Sequence, residues 1–328
     1  MRIFDSIKNL LNKKQSVLQV SKTRYQQLVE SIDDWDFAKR FKSSVPYRIK
    51  SLYNNFNNSY NYYEHPLKTR IKKDDIIELT KEFFEYVDSD IAKNINDIID
   101  GNNSEVQLKM ELFNGRGSEV SDPNQKSVEV YVPIRDDIRM LYEFVHELTH
   151  TLDVKNGDTE TRKVLGEVAP QCMERFLDSF LLNMSDDEMN KYGFDKKVLN
   201  RDIKVRQVTT FLFRYNNAML LYNKNGNRVI DLRYMLAQIY SAQFNKFTID
   251  EKRNKLKKFI ENVSNDKFEE ANNTFGMKIL RENEKERKLY ISDAMEEMNR
   301  LVKPFGMLAY KVKKNRKDYK DIENEIIK

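Results

Sequence analysis

Residues 136–150 read DDIRMLYEFVHELTH, and this stretch decides what the rest of the chain must be. Pro133 closes the segment before it, so Asp136 is placed to cap a helix running through about Leu152. Ile138, Leu141, Tyr142, Val145, Leu148 and Leu152 recur at helical spacing and form its buried stripe. On that helix His146 and His150 are four apart, so both imidazoles project from one side and can share one ion. Glu147 lies beside them, placed to accept a proton from a metal-activated water and not to ligate. Zinc is the metal expected of such a pair, because it brings the pKa of a bound water down to roughly 7. The chain has 3 histidines, and two of them fall inside this one motif.

A catalytic zinc needs a third protein ligand and an open fourth position. The third histidine, His65, lies in YYEHP within an Asn- and Tyr-rich connection. The stronger candidate is Glu167, in TETRKVLGEVAPQCMERFLDSFL (159–181), which reads as one helix following the turn at Gly157. Helix, loop and helix then bring Glu167 over the histidine pair. Glu167, Gln171 and Glu174 are spaced i, i+4, i+7, a polar stripe on an otherwise apolar helix. Gln171 and Glu174 are therefore read as partners for the imidazole N–H groups. Pro170 interrupts the helical hydrogen bonding and is expected to kink it. Asp153 is on the ligand face but about 10 Å along the axis from His146, which makes it a supporting residue and not a ligand. Cys172, the single cysteine, is read as a core residue, and no intramolecular disulfide is possible.

Upstream, the pattern has two periods. DDIIELTKEFFEYV (74–87) is helical through Ile76, Ile77, Leu79, Phe83, Phe84 and Val87, and DIAKNINDIID ends at Gly101, a helix C-cap. VQLKMEL (106–112) and SVEVYVP (127–133) alternate apolar and polar residues, so they are two strands joined by the turn-rich NGRGSEVSDPNQ. With 9 Gly and 6 Pro in 328 residues, long helices are favoured over a turn-rich β fold. The fold expected is mostly α with one small sheet containing antiparallel pairing, set immediately before the metal-binding helix, with SVEVYV expected as its solvent-accessible edge strand. Its parts are a helical region over 1–103, a catalytic domain carrying the HELTH helix over 104–310, and a charged tail over 311–328.

The histidine motif and the EVAPQCME segment together resemble the thimet oligopeptidase and oligoendopeptidase F family of zinc peptidases. That family pairs an HExxH helix with an E-x-x-x-Q-x-x-E pattern, matched here by Glu167, Gln171 and Glu174. A third likeness is YMLAQIYSAQFNKF (234–247), similar to the family helix whose tyrosines stabilise the tetrahedral intermediate. The resemblance spans roughly residues 105–250. It implies a glutamate-ligand zincin with zinc held by His146, His150 and Glu167, and Glu147 as general base. Tyr234 is the implied oxyanion donor, with Tyr240 as second choice. The chain departs from the family in three places and in length. Thr149 replaces the usual glycine, Glu167 follows His150 after only 16 residues, and no histidine follows His150. The chain is also about half the family's usual length, so a reduced shell around the site is expected.

The function implied is hydrolysis of peptide bonds in a peptide or protein substrate. Two alternatives stay open: a secreted effector or toxin protease with one protein target, and a non-catalytic zinc-binding regulator. The net charge of +5 arises from 57 basic and 52 acidic residues, much of the excess lying in KVKKNRKDYKDIENEIIK (311–328). No basic motif interleaved with aromatics accompanies it, so a nucleic-acid partner is not expected. The N-terminal MRIFDSIKNLLNKKQ lacks the apolar run of a Sec leader, and no stretch approaches a membrane span. Cytoplasmic location is the default, with non-Sec secretion left open.

Overall fold

The structure is a computed structural model and describes residues 67–111, 118–121, 128–132, 136–153, 159–207, 210 and 229–276. His65, the connection around it and the charged C-terminal segment lie outside the described residues.

Two helices lead. α1 (Lys73–Val87) buries Ile76, Leu79, Phe83, Phe84 and Val87, the stripe its sequence spells out. α2 (Ser89–Ile99) starts where the Asp88 side chain accepts the N–H groups of Asp90 and Ile91. It stops before Gly101, whose φ of +74° is the left-handed conformation that a glycine adopts without strain. Both helices, although placed before residue 104, bury their apolar faces in the same core as the rest of the molecule. Phe83 and Tyr86 of α1 meet the rings of Phe176 and Phe180 further along the chain.

A three-stranded sheet follows: β1 (Val106–Lys109), β2 (Ser118–Ser121) and β3 (Val128–Tyr131), in the order β1-β3-β2. Here two sequence expectations are corrected. The two strands read from alternation, β1 and β3, pair parallel, with Val106 opposite Val128, and not antiparallel. β3 antiparallel partners β2, which lies inside the segment read as a turn-rich connection. SVEVYV was also expected to be an open edge. It is the central strand, with neighbours on both sides and with Val128, Val130 and Val132 buried.

α3 (Arg139–His150) packs against this sheet and against α1. Its start is not capped by Asp136, as the sequence suggested. Asp136 reaches out to the Arg70 guanidinium at 2.8 Å on the surface. Asp137 takes the capping role instead, accepting the Arg139 N–H at 2.9 Å and gripping the Arg139 guanidinium. The helix gives way to a 3-10 turn (Thr151–Asp153) directly after His150, two residues earlier than expected.

The stretch read as one helix over 159–181 is two. α4 (Glu160–Leu165), capped by the Thr159 hydroxyl, is followed by Gly166, Glu167 and then α5 (Val168–Leu182). Gly166 marks the break: a Cβ there would stand 2.5 Å from the Arg162 carbonyl oxygen, too close to be accommodated. Pro170 therefore sits in the first turn of α5, where its missing N–H would have had no helical partner, and the kink expected of it does not arise. α6 (Asp186–Lys191), α7 (196–207), α8 (Val229–Phe244), α9 (Ile249–Ser264) and α10 (Phe268–Asn273) complete the described fold. α5 is the centre of the arrangement, with α3 on one side, α8 on another and α9 and α1 also in contact. Because α3 carries the histidines and Glu167 opens α5, the α3–α5 packing fixes the site. Among the described residues, no helix is long and apolar enough to cross a membrane.

Candidate metal centre

His146 and His150 occupy successive turns of α3, with ring centroids 5.0 Å apart and planes at 74°. Glu167 enters from the α4–α5 junction. Its Oε2 lies 3.5 Å from His146 Nε2 and 3.8 Å from His150 Nε2. One ligand atom from each of the three residues falls within a mutual 4.8 Å, so the group could hold a metal ion. Side-chain exposure of 10–12% shields all three from bulk water. Tetrahedral zinc, with bonds of about 2.0–2.1 Å, sets its ligand atoms roughly 3.3 Å apart. The two nitrogen–oxygen separations lie within half an ångström of that, so contraction by small side-chain rotations fits an ion.

The surroundings of His146 are built from charge. Its Nδ1 is 2.7 Å from Glu174 Oε1, which accepts the Nδ1–H hydrogen bond and leaves Nε2 facing inward as the ligating atom. Glu174 Oε2 accepts from Arg206 Nη1 at 2.6 Å. Arg206 also donates to Asp178 at 3.1 Å, and Asp178 accepts from the Tyr142 hydroxyl at 2.6 Å and from the Gln207 amide at 2.5 Å. The Arg206 guanidinium lies 3.5 Å from the centre of the Tyr142 ring. This relay ties α3, α5 and α7 together behind one imidazole. Burial works against charge on His146, but hydrogen bonds to Glu167 and Glu174 outweigh it and hold the imidazole well above its ordinary pKa. Burial also opposes charge on Glu174, yet Arg206 and His146 bring its carboxyl down to about 2.

His150 differs. Burial pushes its pKa below the ordinary range, aided by the charges of His146, Arg162 and Arg233 and opposed by Glu167. Arg162 reaches the His150 carbonyl oxygen at 3.4 Å and pairs with Asp153 at 2.8 Å. Asp153 is almost fully buried and its carboxyl is raised to about 6 by that burial. It supports the backbone at the end of α3 through Arg162.

The other sequence-derived residues divide. Glu147 is half-buried beside the pair, and its charge is among those that raise His146. Glu174 meets the His146 Nδ1. Gln171 is buried but accepts from the Gln238 amide, so it clamps α5 to α8 and is not bonded to an imidazole. Tyr234 is half-buried on α8. Tyr240 is wholly buried, donates to Asn272 of α10 and packs on Phe275, so it is a core residue and no longer a candidate oxyanion donor. Thr149, standing where the resembled family has glycine, is buried and returns its hydroxyl to the Val145 carbonyl at 2.6 Å. Cys172 is buried with its thiol pushed far up by burial.

Sequence reasoning missed Arg206, Asp178, Tyr142, Arg162 and Arg233. Asp178 had a signal, since it continues the 167/171/174 stripe at four residues past Glu174. Arg206 had none, because its partner is 32 residues away in the chain. Comparison of the chain with protein-family models, curated proteins and solved structures gave no match.

Proposed function

We propose that the protein is a zinc-dependent peptidase centred on His146, His150 and Glu167, with Glu147 as its general base. The observation that carries the reading is the convergence of two Nε2 atoms and one carboxylate oxygen in a shielded site, with Glu147 next to the first ligand. Zinc held there would polarise a substrate carbonyl and bring the pKa of a water at its open position to about 7.

The chain's own residues supply the rest. Glu174, backed by Arg206, keeps His146 in the tautomer that presents Nε2. Glu167 contributes the single anionic ligand. The Glu147 carboxylate receives the proton of the attacking water and delivers it to the departing amine nitrogen. The Tyr234 hydroxyl is the candidate donor to the carbonyl oxygen as it gains charge.

The test is Glu147→Gln in the full chain. Zinc content is expected to stay at one ion per chain while hydrolysis of a mixed peptide library falls by about 10²–10⁴-fold. Hydrolysis at the wild-type rate in that variant would overturn the assignment. Running intact proteins beside short peptides then sorts a general peptidase from a protease with one protein target.

A further inference from the structure

We propose that Arg233 is a specificity residue that receives a carboxylate of the substrate on the His150 side of the metal group, an inference that rests on the peptidase reading above. Three guanidinium groups act on the histidine pair or its supports, and two are already matched. Arg162 meets Asp153 at 2.8 Å, and Arg206 meets Glu174 and Asp178 at 2.6 and 3.1 Å. Arg233 is different. Its Nη1 donates to a neutral acceptor, the Lys163 carbonyl oxygen, at 3.1 Å. No Asp or Glu of the described residues forms an ion pair with it, and its buried Nε has no hydrogen-bond partner among them.

Position completes the argument. Lys163 lies one helical turn before Glu167, so the bond to its carbonyl anchors Arg233 beside the element that delivers the anionic ligand. The Gln238–Gln171 bond pins the same α8 helix onto α5. Arg233 is half-buried, partly shielded from water yet still reachable. With Nη1 committed to Lys163 and Nε closed off from solvent, Nη2 is the donor left to meet a carboxylate oxygen in a charge-assisted hydrogen bond. The carboxylate could belong to the C-terminus of a peptide or to an acidic side chain, and both offer the same two oxygens.

The experiment uses the full-length, zinc-loaded Glu147→Gln protein, so that binding is read without turnover. Three labelled peptides of one parent sequence are titrated: a free C-terminal acid, its C-terminal amide, and the amide with one internal residue changed to Glu. At least one carboxylate-bearing peptide is expected to bind about tenfold to a hundredfold more tightly than the plain amide. Adding Arg233→Met should erase that preference with zinc content unchanged, and Arg233→Lys should restore part of it. The peptide that shows the gain identifies the source of the carboxylate. Equal binding of all three, binding of none, or a preference that survives Arg233→Met would overturn the proposal. Failure of the peptidase reading shows separately: zinc-loaded wild type would cleave none of the peptides, while the preference and its loss in Arg233→Met persisted.

Discussion

His146 and His150 sit one turn apart on the same helix, yet the molecule treats them in opposite ways. Behind His146 stands a chain of charged and hydrogen-bonding side chains drawn from three helices: Glu174, Arg206, Asp178 and Tyr142. Behind His150, Arg162 reaches only the backbone carbonyl, and no carboxylate of the described residues meets its Nδ1. A carboxylate on the far nitrogen of an imidazole fixes its tautomer and increases its basicity as a ligand. His146 is thus preset, whereas His150 keeps freedom to adjust as an ion draws the three ligand atoms together. The contrast also shows in protonation. His146 holds a proton more firmly than a free imidazole, and His150 less firmly.

The largest effect expected from breaking this asymmetry is at Arg206. Arg206→Met leaves Glu174 and Asp178 buried without their shared counter-charge, a loss of about 3–5 kcal/mol of stability. The midpoint of chemical denaturation in the metal-free protein measures it, and Arg206→Lys should recover only part because Lys lacks the two-pronged geometry. Next comes Glu174→Gln, which keeps the shape but removes the charged acceptor. Zinc affinity should fall about 10- to 100-fold, read by competition with a chelator of known affinity.

Proton competition gives a comparable lever. Because the folded-state pKa of His146 is raised, the metal-free ring is protonated at neutral pH and an ion must displace that proton. Zinc affinity should therefore weaken about tenfold for each unit of decreasing pH between 8 and 6, while zinc binding releases about one proton. In Glu174→Gln the release at neutral pH should be smaller. The smallest effect belongs to the other side of the pair. Arg162→Met should change zinc affinity by less than about threefold, because its links run to Asp153 and the His150 backbone and not to an imidazole. A tenfold loss there would show that the two sides are supported alike.

Local periodicity made α1, α2 and α3 legible, since their buried residues repeat at helical spacing, and it placed Glu167 close to the histidines. What sequence hid had physical reasons. β2 reads SEVS, without apolar alternation, and becomes a strand only through pairing with β3, so β3 was taken for an edge and its pairing with β1 was misread. The break at Gly166 depends on a close backbone approach that composition does not announce. Tyr240 and Tyr234 look alike along the chain, and only the packing of α8 on α10 buries one of them against Asn272. Arg206 and Arg233 owe their roles to contacts between distant helices, which no spacing rule reports.

The central claim is that two imidazoles and Glu167 form one metal site. Its most direct test is the metal content of the full chain, loaded with zinc, passed into metal-free buffer and measured by mass spectrometry. The expected result is one zinc per chain for the wild type, with most of it lost in Glu167→Ala. A wild type that retains no zinc, or a Glu167→Ala protein that retains as much as the wild type, would contradict it.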